Sequence, residues 1–242
     1  MQRFMKSVSI LGAMALLTAH AHADMVLWQT QAAGTSGNVT ASTNGGSGWY
    51  LDGTAGVAYD YGSLDGLDSK PVDGSTVEYI FNLTDSGTSI ALGALYSWSP
   101  GSETLVFKLE QWSNTGKFGL TSPGYWDYTL TSNSPFDQDV HAVFRRNNSG
   151  TIDLFINGTY AETDTNKTNW RMDGGSGIIG ATFAGDADFA LGYVYGVASY
   201  DVALSDTAIT GLYNAYAAVP EPTMLPLLAL GAALLARRRM HG

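Results

Sequence analysis

Cysteine is absent from the 242 residues, which removes disulfide scaffolds, cysteine-ligated zinc and iron–sulfur centres, and thiol catalysis. Basic residues are scarce: 12 Lys and Arg stand against 22 Asp and Glu, a net charge of −10. Phosphate recognition needs clustered Lys and Arg, so nucleic acid is excluded as a partner. Charge of either sign is sparse, at 14%, while 45% of the chain is apolar. That is enough apolar material to bury a core and too little charge for intrinsic disorder. Two apolar runs, Val8 to Leu17 and Thr223 to Ala236, each fall short of the ~20 residues that span a bilayer. What the chain has in quantity is glycine, 29 residues, the punctuation of a turn-rich fold.

Both ends read as addresses. Arg3 and Lys6 precede the first apolar run, and Ala21-His22-Ala23 offers a small-x-small cleavage site. Residues 1–23 therefore read as a secretory signal that signal peptidase removes after Ala23. At the other end, Pro220-Glu221-Pro222 is followed by the uncharged run of 14 residues and then by Arg237-Arg238-Arg239. The arginines hold such a tail on the cytoplasmic side during export.

In order, these three features resemble the PEP-CTERM sorting signal of Gram-negative bacteria. The resemblance covers residues 220–242. It implies recognition by an exosortase, a membrane cysteine protease, and removal of the tail. It also implies delivery to the cell surface or an exopolysaccharide matrix, with transient membrane contact through the apolar helix. A plain C-terminal anchor is the alternative and predicts that the tail stays. Between the two signals, residues 24–219 keep seven basic and 21 acidic residues. The exported part is thus more acidic than the whole, which opposes anionic membranes and suits divalent cations.

Residues 24–219 read as one all-β domain. Val77, Tyr79, Phe81 and Leu83 alternate with polar neighbours, as do Leu105, Phe107 and Leu109, and Ile152, Leu154 and Ile156. A period of two places each set on one sheet face. From Asp139 to Thr163 the pattern is a three-stranded meander, with turns at Asn147–Gly150 and at Asn157-Gly158, the latter suited to a type I′ hairpin. Phe189 to Asp201 is a long strand pattern whose Ala190, Gly192, Gly196 and Ala198 leave one face open for another layer. One helix follows, with Ser205 as N-cap and Ile209, Leu212, Tyr213 and Tyr216 as its apolar stripe. Gly34–Gly48 and Asn169–Gly177 read as flexible.

The segments His141–Phe144 and Ser149–Gly158 resemble the central hairpin of laminin-G-like and concanavalin-A-like jelly rolls. Tyr200–Asp206, with Ile209 and Leu212-Tyr213, resembles their closing strand and short helix. The resemblance implies a two-sheet antiparallel jelly-roll sandwich with one short C-terminal helix. It leaves activity open, because the same fold serves lectins, adhesion modules, hydrolases and lyases.

Chemistry is thin. The glucanase branch of these families carries two glutamates flanking an aspartate at alternating strand positions. Here Glu78, Glu103, Glu110 and Glu162 are dispersed and no Glu-x-Asp pattern exists among them, so the strand-borne glucanase signature is missing, while the two carboxylates that glycan hydrolysis requires could still meet in space from other positions. His141 is the one histidine of residues 24–219. It lies within a strand pattern, without a nucleophile motif, and reads as structural. Asp137 and Asp139, and Asp186 and Asp188, have Asp-x-Asp spacing that suits calcium; a solvated acidic turn, which Asp favours anyway, is the simpler reading of either pair.

Sugar binding would use aromatic platforms beside polar groups. The candidates are Tyr125 and Trp126 in Ser122–Tyr128, Trp98 beside Tyr96 ahead of Pro100-Gly101, and Trp170 in a polar loop; core filling is the competing use of each. The reading is an exported, non-catalytic module that binds polysaccharide. A structural matrix protein, or a hydrolase or lyase with dispersed carboxylates, is the alternative.

Overall fold

The computed structural model describes residues 25–64, 74–97, 101–164, 170–185 and 187–217. The expected signal peptide (1–23), the expected sorting tail with Pro220, Glu221, Pro222, Arg237, Arg238 and Arg239, and the side chains of Trp98 and Asp186 lie outside the described residues.

Two antiparallel sheets pack face to face. The first runs in the order β1 (Val39–Ser42), β13 (Leu191–Tyr200), β4 (Ser75–Leu83), β9 (Val140–Arg146), β10 (Ile152–Ile156) and β11 (Thr159–Asp164), with β2 (Trp49–Asp52) also on β13. The second runs β3 (Val57–Asp60), β12 (Ser176–Ile179), β5 (Ile90–Tyr96), β6 (Glu103–Glu110), β7 (Lys117–Ser122) and β8 (Trp126–Asn133). This is the expected jelly-roll sandwich. Alternation builds it: Val77, Tyr79, Phe81 and Leu83 of β4 meet Leu105, Phe107 and Leu109 of β6 in one apolar core. Phe107 and Phe144 close the gap between the sheets with ring centroids 4.7 Å apart.

The meander forms as its turn chemistry dictates. Asn157 and Gly158 take φ 50° and 73°, the two positive values a type I′ turn demands. They set the register Ile156 opposite Thr159. The small residues of β13, expected on one face, are divided between two. A bulge between Val194 and Gly196 inserts one residue and reverses the alternation. Ala190 and Val194 therefore point into the central core, whereas Ala198 and Tyr200 point outward.

That outer face of the first sheet is not solvated. Ile80, Val143, Phe155, Ala198 and Tyr200 form a second core beneath two helices. One is the expected C-terminal helix, α2 (Asp206–Ala217), which buries Ile209 and Leu212. Ser205 caps it, its Oγ accepting the Ala208 N–H at 3.2 Å. The other, α1 (residues 25–33), has no counterpart in the sequence reading, although Met25, Trp28 and Ala32 repeat at helical spacing. All three are buried against the sheet.

Gly196 makes this docking possible, because a Cβ there would stand 2.8 Å from Trp28 Cζ3 and 3.2 Å from Met25 Cε. Gly196→Ala is expected to cost about 1–3 kcal/mol through overpacking, read as a lower urea midpoint. An unchanged midpoint would show that α1 is not seated on this glycine.

Of the two stretches read as flexible, the first contains β1 and a 3-10 turn at Asn44–Gly46. Asn38 bonds Asp201 through both its backbone N–H and its amide, at 2.7 and 2.5 Å. In the second, Trp170 and Met172 are buried. Polar and small residues there satisfy turns and edges rather than solvent, which composition alone does not reveal.

The sheet edges β8 and β11 lie side by side, and Glu162 ties them. Its carboxylate accepts the N–H groups of Thr131 and Ser132 at 3.0 and 2.7 Å and the Thr131 hydroxyl at 2.8 Å. Burial pushes its pKa up, but these hydrogen bonds outweigh burial and hold it below its ordinary value. A folded-state pKa below the unfolded one gives stability that is complete above the unfolded value of about 4.5 and is lost as pH falls through the folded one. Glu162→Gln is therefore expected to flatten the acid limb of the stability–pH curve. An identical acid limb in the variant would refute the assignment.

Candidate functional site

The outer face of the second sheet carries an open groove of about 400 Å³. Phe107, Leu109, Phe118, Leu120 and Leu130 point into the core, so alternation turns Lys108, Thr121 and Asp127 outward to form the floor. The Thr121 hydroxyl donates to Asp127 Oδ1 at 2.7 Å, and Gln111 Oε1 lies 3.2 Å from the same hydroxyl. Gln111 can lie flat on the sheet because Gly119 is beneath it: a Cβ there would come within 2.4 Å of Gln111 Cβ.

Three loops raise aromatic walls around this floor. Between β7 and β8, Ser122-Pro123-Gly124-Tyr125 forms a turn in which the Tyr125 N–H donates to the Ser122 carbonyl at 2.9 Å and Gly124 takes φ 78°. Proline then glycine at the two central positions is the type II preference. The turn leaves Tyr125 79% and Trp126 52% exposed, both on the groove.

Between β6 and β7, Trp112 is 55% exposed with φ 62°. The buried Glu110 carboxylate organises this loop, accepting the N–H groups of Thr115 and Gly116, each at 2.8 Å. Between β12 and β13, Phe183 is 46% exposed with φ 48°. A left-handed backbone is uncommon for a bulky side chain and persists only where the surroundings enforce it, often at functional sites. Trp112, Phe183 and Asp188 (φ 52°) all line this groove.

The sequence-predicted aromatics divide between the groove and the core. Tyr125 and Trp126 come together on the groove. Trp170 does not join them: it is buried, its indole N–H bonds Asp164, and its carbonyl accepts Arg146 Nε at 2.6 Å. Trp112 and Phe183 were missed. A tryptophan inside Gln111–Gly116, where a strand pattern runs into Ser-Asn-Thr-Gly, was the available signal.

Asp186 lies outside the described residues, and the other acidic candidates, Asp137, Asp139 and Asp188, each have protein partners. Asp139 accepts Asn82 Nδ2 at 2.8 Å and lies beside the Tyr195 and Tyr216 hydroxyls. Asp137 takes φ 55° in a turn where its N–H donates to the Leu83 carbonyl. Asp188 is ion-paired with the Lys108 ammonium. Among the described residues no group of three or more His, Asp or Glu converges to hold a metal ion.

His141 is fully buried on the opposite sheet, its Nε2 3.0 Å from Glu78 Oε2 and its ring stacked on Tyr213. Glu78 also accepts the Tyr200 hydroxyl at 2.9 Å. Burial, and then the neighbouring carboxylate, push the Tyr200 phenol well above its ordinary pKa, so it remains a donor. Glu78, Glu110 and Glu162 thus each serve a structural bond network, the first under the helices, the second in a loop, the third at an edge.

No curated protein sequence matches the chain. Among solved structures, the CBM40 module of the Ruminococcus gnavus IT-sialidase, bound to α2,3 sialyllactose, is similar over 72% of this chain and 97% of its own, with 15% identity and a TM-score of 0.50. The same module alone gives the same identity and TM-score, over 72% and 98%. Domain 4 of the extracellular arabinanase AbnA from Geobacillus stearothermophilus, in complex with arabinotriose, covers 74% and 82%, with 19% identity and a TM-score of 0.48. At these identities the likeness is one of fold. Residues 52–210 match the family described as the concanavalin A-like lectin/glucanases superfamily, and the chain belongs to it.

Proposed function

We propose that this protein is a non-catalytic carbohydrate-binding module of the bacterial surface, and that the groove on its second sheet is the binding site. One observation carries the reading: Trp112, Tyr125, Trp126 and Phe183, all exposed, surround a floor of hydrogen-bonding side chains. Aromatic rings cover the apolar faces of sugar rings, and Gln111, Thr121 and Asp127 offer donors and acceptors to hydroxyls. The commitment of Glu78, Glu110 and Glu162 to structural bonds supports a binding role over hydrolysis, which needs two free, facing carboxyl groups. The fold similarity to a sialyllactose-bound module supports a carbohydrate as the ligand.

Export and sorting complete the proposal. Signal peptidase removes residues 1–23, and an exosortase processes the tail that begins at Pro220. The packing of α1 supports this, since Met25, Trp28 and Ala32 all lie beyond Ala23. So does α2, whose buried Ile209 and Leu212 lie ahead of the Pro-Glu-Pro motif.

Affinity electrophoresis of the full-length recombinant protein through gels containing single polysaccharides tests the binding role: retardation is expected in at least one gel, without release of reducing ends. Free migration in every gel would contradict it. The intact mass of protein recovered from the cell surface tests sorting. A C-terminus near Pro220 is expected, and a species ending at Gly242 would contradict processing.

A further inference from the structure

The aromatic groove does not end at Asp188. A second hollow of about 560 Å³ continues from it and shares Ser89 and Asp188 as a common wall. Its character differs, with the hydroxyls of Ser86, Thr88, Ser89 and Ser113 lining it alongside Asp52. Each hollow lies within the range of about 300–1,000 Å³ typical of ligand sites, and joined end to end they make a path longer than one sugar ring needs.

Charge sets what can follow that path. The lining of the two hollows contains one cation, Lys108, and three carboxylates, Asp52, Asp127 and Asp188. The Lys108 ammonium is nearly buried, ion-paired with Asp188 and donating to Ser89 Oγ at 3.1 Å, so it is already neutralised. The Thr54 hydroxyl and N–H, at 2.6 and 2.9 Å, hold the Asp52 carboxyl below its usual pKa. Among the described residues, an incoming carboxylate would therefore meet two uncompensated negative charges and no available positive one. Residues 24–219 as a whole carry three acidic residues for each basic one, and like charge slows encounter as well as weakening the complex.

Resting on the binding role proposed above, we infer that the ligand is an uncharged polysaccharide bound along its chain, with ring faces on the aromatic hollow and hydroxyls reaching the serine- and threonine-lined one. Sialic acid and uronic acid polymers are excluded, despite the fold shared with a sialyllactose-bound module.

The test uses the full-length protein. Affinity electrophoresis against neutral polymers (arabinan, xylan, mixed-linkage glucan, galactomannan) and acidic ones (polygalacturonate, alginate, polysialic acid) comes first. Calorimetry with a size ladder of oligosaccharides from the best binder follows. Retardation is expected with neutral polymers only. Affinity should climb about tenfold between two and five sugar units, two hydrogen bonds of ordinary strength being sufficient for that. Thr88→Ala/Ser113→Ala, both at exposed positions, should remove that climb.

Stronger retardation by acidic polymers would overturn the inference and leave the binding role standing. A flat ladder, or a double variant that climbs like the parent, would overturn it too. Retardation by nothing in either set would sink the binding role and this inference together.

Discussion

Trp112→Ala and Trp126→Ala are each expected to weaken polysaccharide binding about tenfold, and the double variant about a hundredfold, without loss of fold. Both indoles are half exposed in the free protein, at 55% and 52%. Covering what remains by a sugar face is worth about 1.5 kcal/mol each, half of the full burial of a large apolar side chain, and 1.4 kcal/mol is a factor of ten. Trp112 stands on the β6–β7 loop and Trp126 at the start of β8, so the losses should add. Because neither ring fills a core cluster, urea midpoints should move little. Calorimetric titration with a retarding polysaccharide measures the effect, and wild-type affinity in the double variant would remove the groove from consideration. Trp170→Ala gives the opposite signature: the buried ring leaves a cavity, so stability falls while any surviving folded protein binds normally.

Glu78→Ala carries the largest expected effect on stability, about 3–5 kcal/mol, the range for breaking a buried polar or ionic pair from one side. Its loss leaves His141 Nε2 and the Tyr200 hydroxyl without their acceptor, sealed from water beneath α1 and α2. The bond is also a polar pin within the second core: Ile80, Val143 and Ala198 surround it. A double-mutant cycle with His141→Ala should return a coupling energy of at least about 1 kcal/mol, as contacting residues of one network do. Independent losses in the cycle would mean that the pair is incidental to the second core. Glycan affinity of the folded fraction should not change, since the pair and the groove lie on opposite sheets.

The architecture was readable because it depends on period and turn chemistry, which are local. β4, β6 and the meander follow from alternation, and Asn157-Gly158 and Pro123-Gly124 name their own turns. What escaped depends on relations between distant residues. The bulge at Val194–Gly196 reverses which side of β13 its later residues face, and no single-strand pattern announces it. Helix α1 was overlooked although Met25, Trp28 and Ala32 are correctly spaced, because three residues at that interval are weak evidence beside an export signal. The pairing of Lys108 with Asp188 joins positions far apart in the chain and turned a candidate calcium ligand into the partner of an ammonium. Tyr125 and Trp126 were legible as adjacent aromatics among polar residues in Ser122–Tyr128. Trp112 and Phe183 required the fold, since only the convergence of three loops makes them neighbours of one groove.

The account stands most directly on a two-dimensional ¹H–¹⁵N spectrum of the indole N–H groups, recorded while a neutral oligosaccharide of the retarding polysaccharide is added. The signals of Trp112 and Trp126 should move together with one dissociation constant, while those of Trp28 and Trp170, buried elsewhere, stay in place. Movement confined to other tryptophans, or a spectrum indifferent to every sugar that retards the protein, would contradict it.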